Sequence, residues 1–138
     1  MQVYLAIKYH ADHSNRTTIE QISAQLAAVG LTSVCVVRDV ERWGEMHFAP
    51  EELMQLSFTA IEQSDLVIIE LTEKGVGLGI EAGYAHARGI PIITIAQIGA
   101  DISDTLRGIS TEVFGYANYA ELQPIFKRAR EQPLTCDL

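Results

Sequence analysis

Short apolar runs rich in β-branched residues alternate along this chain with segments whose apolar residues recur at helical spacing. Residues 2–9, QVYLAIKY, predict a first strand. In the segment 15–29, Ile19, Ile22, Leu26 and Val29 fall on one helix face, and Gly30 supplies a stop. Residues 32–39, TSVCVVRD, predict a second strand; ERWGEMHFA follows as a loop, and Pro50 opens a helix over 50–63. LVIIEL (66–71), IPIITIA (90–96) and EVFGYA (112–117) predict three further strands, the last at an edge. A third helix lies within 75–89 and stops at Gly89. Tyr119, Leu122, Ile125, Phe126 and Ala129 supply the face of a closing helix.

Strands of near-continuous apolar character are covered on both faces, as in parallel sheets. Their alternation with helices predicts an α/β fold: an open parallel five-stranded sheet with helices on both faces, a flavodoxin-like or Rossmann-like three-layer sandwich. With 138 residues and no internal repeat, a single domain over 1–138 is expected. Such sheets bind ligands beyond the carboxyl ends of their strands, which nominates residues 8–16, 39–48, 70–81 and 97–107. The helix over 50–63 carries two adjoining apolar stripes, Leu53, Leu56 and Ala60 beside Met54, Phe58 and Ile61. That arc is wider than one contact needs. It predicts a subunit interface, most simply a homodimer; burial by the chain's own loops is the alternative.

Composition narrows the partners. Ten basic against eighteen acidic residues give a net charge of −8, which argues against nucleic acid and anionic membranes as partners. No stretch approaches a membrane span and no basic leader precedes an apolar run, so a cytoplasmic protein is expected. Cys35 and Cys136 form no disulfide or metal pattern, and His10 and His13 lack a third ligand. No cofactor or metal is expected.

The chemistry concentrates in GVGLGIEAGYAHARG, residues 75–89. GVGLG is neither a GxGxxG fingerprint nor a phosphate-binding loop followed by GK[ST]. Gly79 and Gly83 leave a helix face bare, open to close approach by sheet or ligand. Glu81 lies in the first turns of the helix, where the dipole and free N–H groups favour an ionised carboxylate. It either stabilises the helix start or works in a pocket as a nucleophile or hydrogen-bond acceptor.

VGLGIEAGYA, preceded by SDLVIIELTEKG and followed by IPIITIA, resembles the nucleoside 2-deoxyribosyltransferase family, which includes the 2'-deoxynucleoside 5'-phosphate N-hydrolases. The likeness covers most of the chain. It implies that Glu81 attacks C1' of the sugar as the base departs, that Tyr4 in VYLA orients the carboxylate, and that the glycines, Gly77 and Gly79 among them, let the sugar approach the backbone. Ser103, with Arg107 and Gly108 in SDTLRG, matches a segment that reaches a neighbouring subunit's site. The physics fits, because a carboxylate stabilises an oxocarbenium-like transition state before bonding to it.

The chain departs from the family in three places. The family's second-helix aspartate, eight residues before Asp65, is Ser57 here, a poor proton donor; Glu70, at the end of the third strand, could supply the proton or merely sit at the sheet rim. After the first strand, where glycine is frequent in the family, AIKYHADHSNR carries Lys8, His10, His13 and Arg16. These could hold a phosphate or form a solvated loop. Gly75 stands where the monophosphate hydrolases commonly have serine, so a phosphate would rely on Ser103, Lys8 and helix N–H groups. Trp43, His47 and Phe48 could stack on a base or plug the sheet edge.

The expected function is therefore N-glycosidic cleavage or base exchange on a nucleoside or nucleoside 5'-monophosphate through a Glu81 glycosyl–enzyme intermediate. The expected catalytic residues are Glu81, Tyr4 and Glu70; Lys8, His10, Ser57, Gly77, Gly79 and Ser103 are expected to bind substrate. The alternative is a non-catalytic nucleotide or nucleotide-sugar binding module that lost the family acid at Ser57.

Overall fold

Five strands, β1 (Gln2–Ile7), β2 (Thr32–Val34), β3 (Leu66–Glu70), β4 (Ile92–Gln97) and β5 (Glu112–Tyr116), pair in the order β2-β1-β3-β4-β5, every pair parallel. In this computed structural model the described residues are 1–132, 134 and 135; Cys136 lies outside them. Among the described residues five α-helices alternate with the strands: α1 (Arg16–Ala28), α2 (Pro50–Glu62), α3 (Val76–Ala87), α4 (Asp104–Ile109) and α5 (Leu122–Glu131). The expected open parallel sheet with helices on both faces is the architecture found.

The period-2 geometry of the strands sorts side chains into two cores. Val3, Leu5, Leu66 and Ile68 join Ile19, Ile22 and Leu26 of α1 and Ile125 and Phe126 of α5 on one face. Tyr4, Ala6, Val67 and Ile69 join Ile61 of α2 and Leu78, Ala82 and Ala85 of α3 on the other. The central strand β3 is buried along its whole length, as its unbroken apolar run requires. α1 and α3 each end before a glycine in the left-handed region, Gly30 at φ +81° and Gly89 at φ +73°, a conformation that costs glycine little.

The second strand departs from expectation. It stops at Val34, and residues 36–40 form a π-helical turn closed by the Glu41 N–H on the Val36 carbonyl, 2.9 Å. The cause is local. The Asp39 carboxylate reaches back to accept the Cys35 N–H at 2.9 Å, and Arg38 clamps the same carboxylate at 2.8 Å while donating to the Ser33 carbonyl at 3.0 Å. These bonds offer the backbone an alternative to the sheet ladder. The chain then runs through three consecutive left-handed residues, Arg42 at φ +48°, Trp43 at +56° and Gly44 at +89°. α4, which no periodicity announces, begins at Ser103, whose hydroxyl accepts the Leu106 N–H.

Candidate functional site

The chain order reverses direction between β1 and β3, and a cavity of about 390 Å³ opens beside their carboxyl ends on the α2 and α3 side of the sheet. Most of its wall is apolar, supplied by residues such as Ile7, Val36, Leu53, Met54 and Leu78. A few polar groups converge in it: Tyr4, Lys8, Glu41, Ser57 and Glu81. An apolar cleft of this size with few placed polar groups is the usual form of a small-molecule site.

Tyr4 is sent into this cavity by strand alternation, since Val3 and Leu5 turn to the opposite core. Its hydroxyl donates to Glu81 Oε1 at 2.7 Å. Burial, and next the Glu81 charge, push the phenol far above its ordinary value, so Tyr4 stays a donor at any physiological pH. Glu81 lies on the second turn of α3 and is half-buried. Burial pushes its carboxyl up to about 7, against a smaller opposing effect of the Tyr4 hydrogen bond. This corrects the expectation that the helix start favours the ionised form: desolvation wins.

Ser57 is buried beside Tyr4 and donates to the Leu53 carbonyl at 2.9 Å. Gly77 lines the cavity at the free N-terminal turn of α3. Lys8 lies at the rim, its methylene chain against Gly75 and its ammonium 3.9 Å from Glu73. Tyr4, Lys8, Ser57, Gly77 and Glu81 are thus brought together.

Glu70, His10, Gly79 and Ser103 are not. Glu70 follows Leu66 and Ile68 to the α1 side of the sheet, because residues two apart on a strand share a face. It lines a second, smaller cavity of about 180 Å³ with His10, Asn15, Thr18, Thr72 and Gln97. There its buried carboxylate accepts the Thr72 N–H at 2.7 Å and the Thr72 hydroxyl, and burial raises its pKa. It does not line the Glu81 cavity, although Ile7 and Lys8 border both, and on the opposite face of the sheet it is misplaced to protonate a base leaving there. His10 pairs with Glu73 at 3.0 Å. Gly79 and Gly83 are exposed, with nothing within 4 Å of where a Cβ would stand, so this bare face approaches neither sheet nor cavity. Ser103 caps α4 outside both cavities.

Trp43 packs against the α1 and α5 core, with the Arg16 guanidinium 4.5 Å over its ring and His13 edge-on at 6.0 Å. It is a plug, as one of the two expectations had it, and does not line the cavity. Neither His47 nor Phe48 lines it. Of the two stripes on α2, Leu53 and Met54 line the cavity, Ile61 enters the core and Phe58 stacks on Tyr84 at 4.1 Å.

Glu41 was not among the residues singled out from the sequence. It sits in the stretch 39–48 that the carboxyl-end rule nominates, and it lines the Glu81 cavity from the β2–α2 loop. Burial raises its pKa, opposed in small part by His13 and His47.

A family model described as nucleoside 2-deoxyribosyltransferase matches residues 3–120. A Thermofilum pendens protein named for 2'-deoxynucleoside 5'-phosphate N-hydrolase activity is 25% identical over 135 residues, 93% of this chain and 92% of its own length. Among solved structures, a CMP N-glycosidase of Clostridium botulinum superposes with a TM-score of 0.65 at 22% identity, covering 91% of this chain and 97% of that one. A 2-deoxyribosyltransferase of Bacillus psychrosaccharolyticus gives a TM-score of 0.70 at 15% identity, covering 89% and 90%.

Proposed function

Since the chain belongs to the nucleoside 2-deoxyribosyltransferase family, whose activities are nucleoside N-glycosidic cleavage and deoxyribosyl transfer, we propose that it performs this chemistry on a nucleoside or nucleoside 5'-monophosphate with Glu81 as nucleophile. The observation that carries the proposal is the 2.7 Å hydrogen bond from Tyr4 to Glu81 Oε1 inside the apolar cavity.

Holding Oε1 leaves Oε2 free to face C1'. In the first step the C1'–N bond breaks, its electron pair leaving with the base, and an Oε2–C1' bond forms. In the second, water or an acceptor base attacks C1' and the carboxylate departs, so configuration is retained. Desolvation keeps the ionised carboxylate reactive, because no water shell has to be stripped from it. Lys8 at the rim suits an anionic 5'-group on the sugar, and Gly77 offers it backbone N–H groups.

The test is release or exchange of base from a panel of ribo- and deoxyribonucleosides and their 5'-monophosphates, with and without an acceptor base. Wild-type turnover that Glu81→Ala abolishes is the expected result; turnover that survives this change overturns it. A second reading rests on Ser57, whose hydroxyl is committed to Leu53: a nucleotide-binding module without turnover. Tight ligand binding with no product after long incubation would favour that module.

The proposal extends to self-association. Val76 is 82% exposed and Ile80 47% exposed on a stripe of α3 that includes Gly79 and Gly83, a face a second copy would cover, with Ser103 expected at the neighbour's site.

A further inference from the structure

Given Glu81 as the nucleophile, on which this inference rests, we propose that Glu41 is the group that gives a proton to the departing base and takes one back from the incoming nucleophile. The cavity holds two carboxyl groups from different elements, Glu81 on α3 and Glu41 on the loop after β2. Ser57, on the helix that faces them, cannot act as an acid near neutral pH, and Glu70 lies across the sheet. Among the described residues, Glu41 is the remaining carboxyl group that lines the cavity.

Three features place Glu41 for this task. Its backbone is pinned at both ends: the N–H donates to the Val36 carbonyl at 2.9 Å, and its carbonyl accepts Gly44 N–H and Met46 N–H at 3.0 Å each. Its carboxylate has no hydrogen-bond partner among the described residues, so it is uncommitted although half-buried. The next residues along the chain are held in the left-handed region, Arg42 and Trp43 without the freedom of glycine. Such conformations cost about 1–3 kcal/mol each and gather where a site needs them. Stacking of Arg16 on Trp43 supplies the brace.

Protons balance over the two steps. As the C1'–N bond breaks, the electron pair moves onto the base and the Glu41 carboxyl proton goes to a ring nitrogen or carbonyl oxygen of that base, which leaves neutral. Glu41, now ionised, removes a proton from water as its oxygen bonds to C1' and the Glu81 carboxylate leaves. In base exchange the acceptor's N–H proton takes the same path. Retention of configuration puts departure and attack on one face of the sugar, so one residue serves both steps.

The deciding experiment compares wild type, Glu41→Gln and Glu81→Ala on purine nucleosides and their 5'-monophosphates, and on the N7-methylated counterparts, whose base leaves without taking up a proton. For a pyrimidine-specific enzyme, a 4-nitrophenyl glycoside of the same sugar replaces the methylated substrate. Read as single-turnover base release, which reports the first step alone, Glu41→Gln is expected to lose ~10²–10⁴-fold in rate on the ordinary substrates and to stay within about threefold of wild type on the methylated ones, whose second step still needs the general base. Equal loss on both classes, or no loss on either, overturns the assignment of Glu41 while leaving the Glu81 mechanism standing. Release from methylated substrates that survives Glu81→Ala overturns the Glu81 mechanism and, with it, this proposal. An unchanged melting temperature for Glu41→Gln, expected because the carboxylate makes no hydrogen bond, separates chemistry from folding.

Discussion

As the proposed nucleophile, Glu81 meets two opposing demands. Burial makes its carboxylate reactive and at the same time raises its pKa to about 7. A nucleophile must be ionised, and a raised carboxyl pKa means the proton is held until the pH passes it. On substrates whose base needs no proton, base release is therefore expected to climb with pH through about 7 and to level off above. On ordinary substrates it falls again at higher pH as Glu41 gives up its proton. A rate profile that is flat from pH 5 to pH 8 would contradict this. Tyr4 counters the burial by donating to Oε1, and hydrogen bonds to a charged group contribute roughly 1.5–3 kcal/mol. Tyr4→Phe is accordingly expected to lower kcat about 10–100-fold and to move the pH limb upward, since the ionised form loses its donor. One titration of kcat on the variant checks both. Spacing alone left Glu81 open between stabilising the helix start and working in a pocket, and the resemblance of VGLGIEAGYA to the family singled it out; its place in the cavity beside Tyr4 agrees with that. Its protonation behaviour was not legible, because a sequence does not tell how much water a side chain keeps.

At the scale of elements, strand alternation decides who works with whom. Tyr4 and Glu70 lie on strands that pair directly, with Ile7 opposite Glu70, yet they emerge on opposite faces. Glu70→Gln is expected to change base release by less than about threefold, in contrast to any change at Glu81; a loss of 10²-fold would bring Glu70 back into the reaction. Counting residues along LVIIEL would have given this answer, since Leu66 and Ile68 share its face. The second strand shows the opposite case. VCVVRD is as β-prone as any stretch of the chain, and what ends the strand is a side chain, Asp39, bonding four residues back. Apolar patterning carries no trace of that bond. Glu41 was hidden for the same reason: it lies in an aperiodic loop, and its more conspicuous neighbour Trp43 faces the core.

For the molecule as a whole, two cores on one sheet account for most of the apolar pattern, which is why the architecture could be read from spacing. Among the described residues, one apolar face left over is the outer stripe of α3, beside which Leu56 of α2 also joins neither core. With Val76 and Ile80 exposed, Ile80→Arg is expected to shift the protein from an oligomer to a monomer in light scattering coupled to gel filtration; an unchanged mass, or a wild type already monomeric, would remove the self-association. If Ser103 reaches a neighbour's site, the same variant loses activity in proportion to its dissociation. Charge gives no hint of this, since a net −8 disfavours self-association only weakly at physiological salt, where repulsion fades within ~8 Å.

The braced loop after β2 has one more consequence, and it concerns entropy. Fixing a backbone residue costs roughly 1–2 kcal/mol, and a wall that ordered itself only around its ligand would subtract that cost, residue by residue, from affinity. Here Asp39 and Arg38 lock the turn, and the stacking of Arg16 on Trp43 locks the left-handed residues beyond it. The ordering is settled when the chain folds. A ligand that arrives meets a finished surface, and its contacts count in full toward holding it.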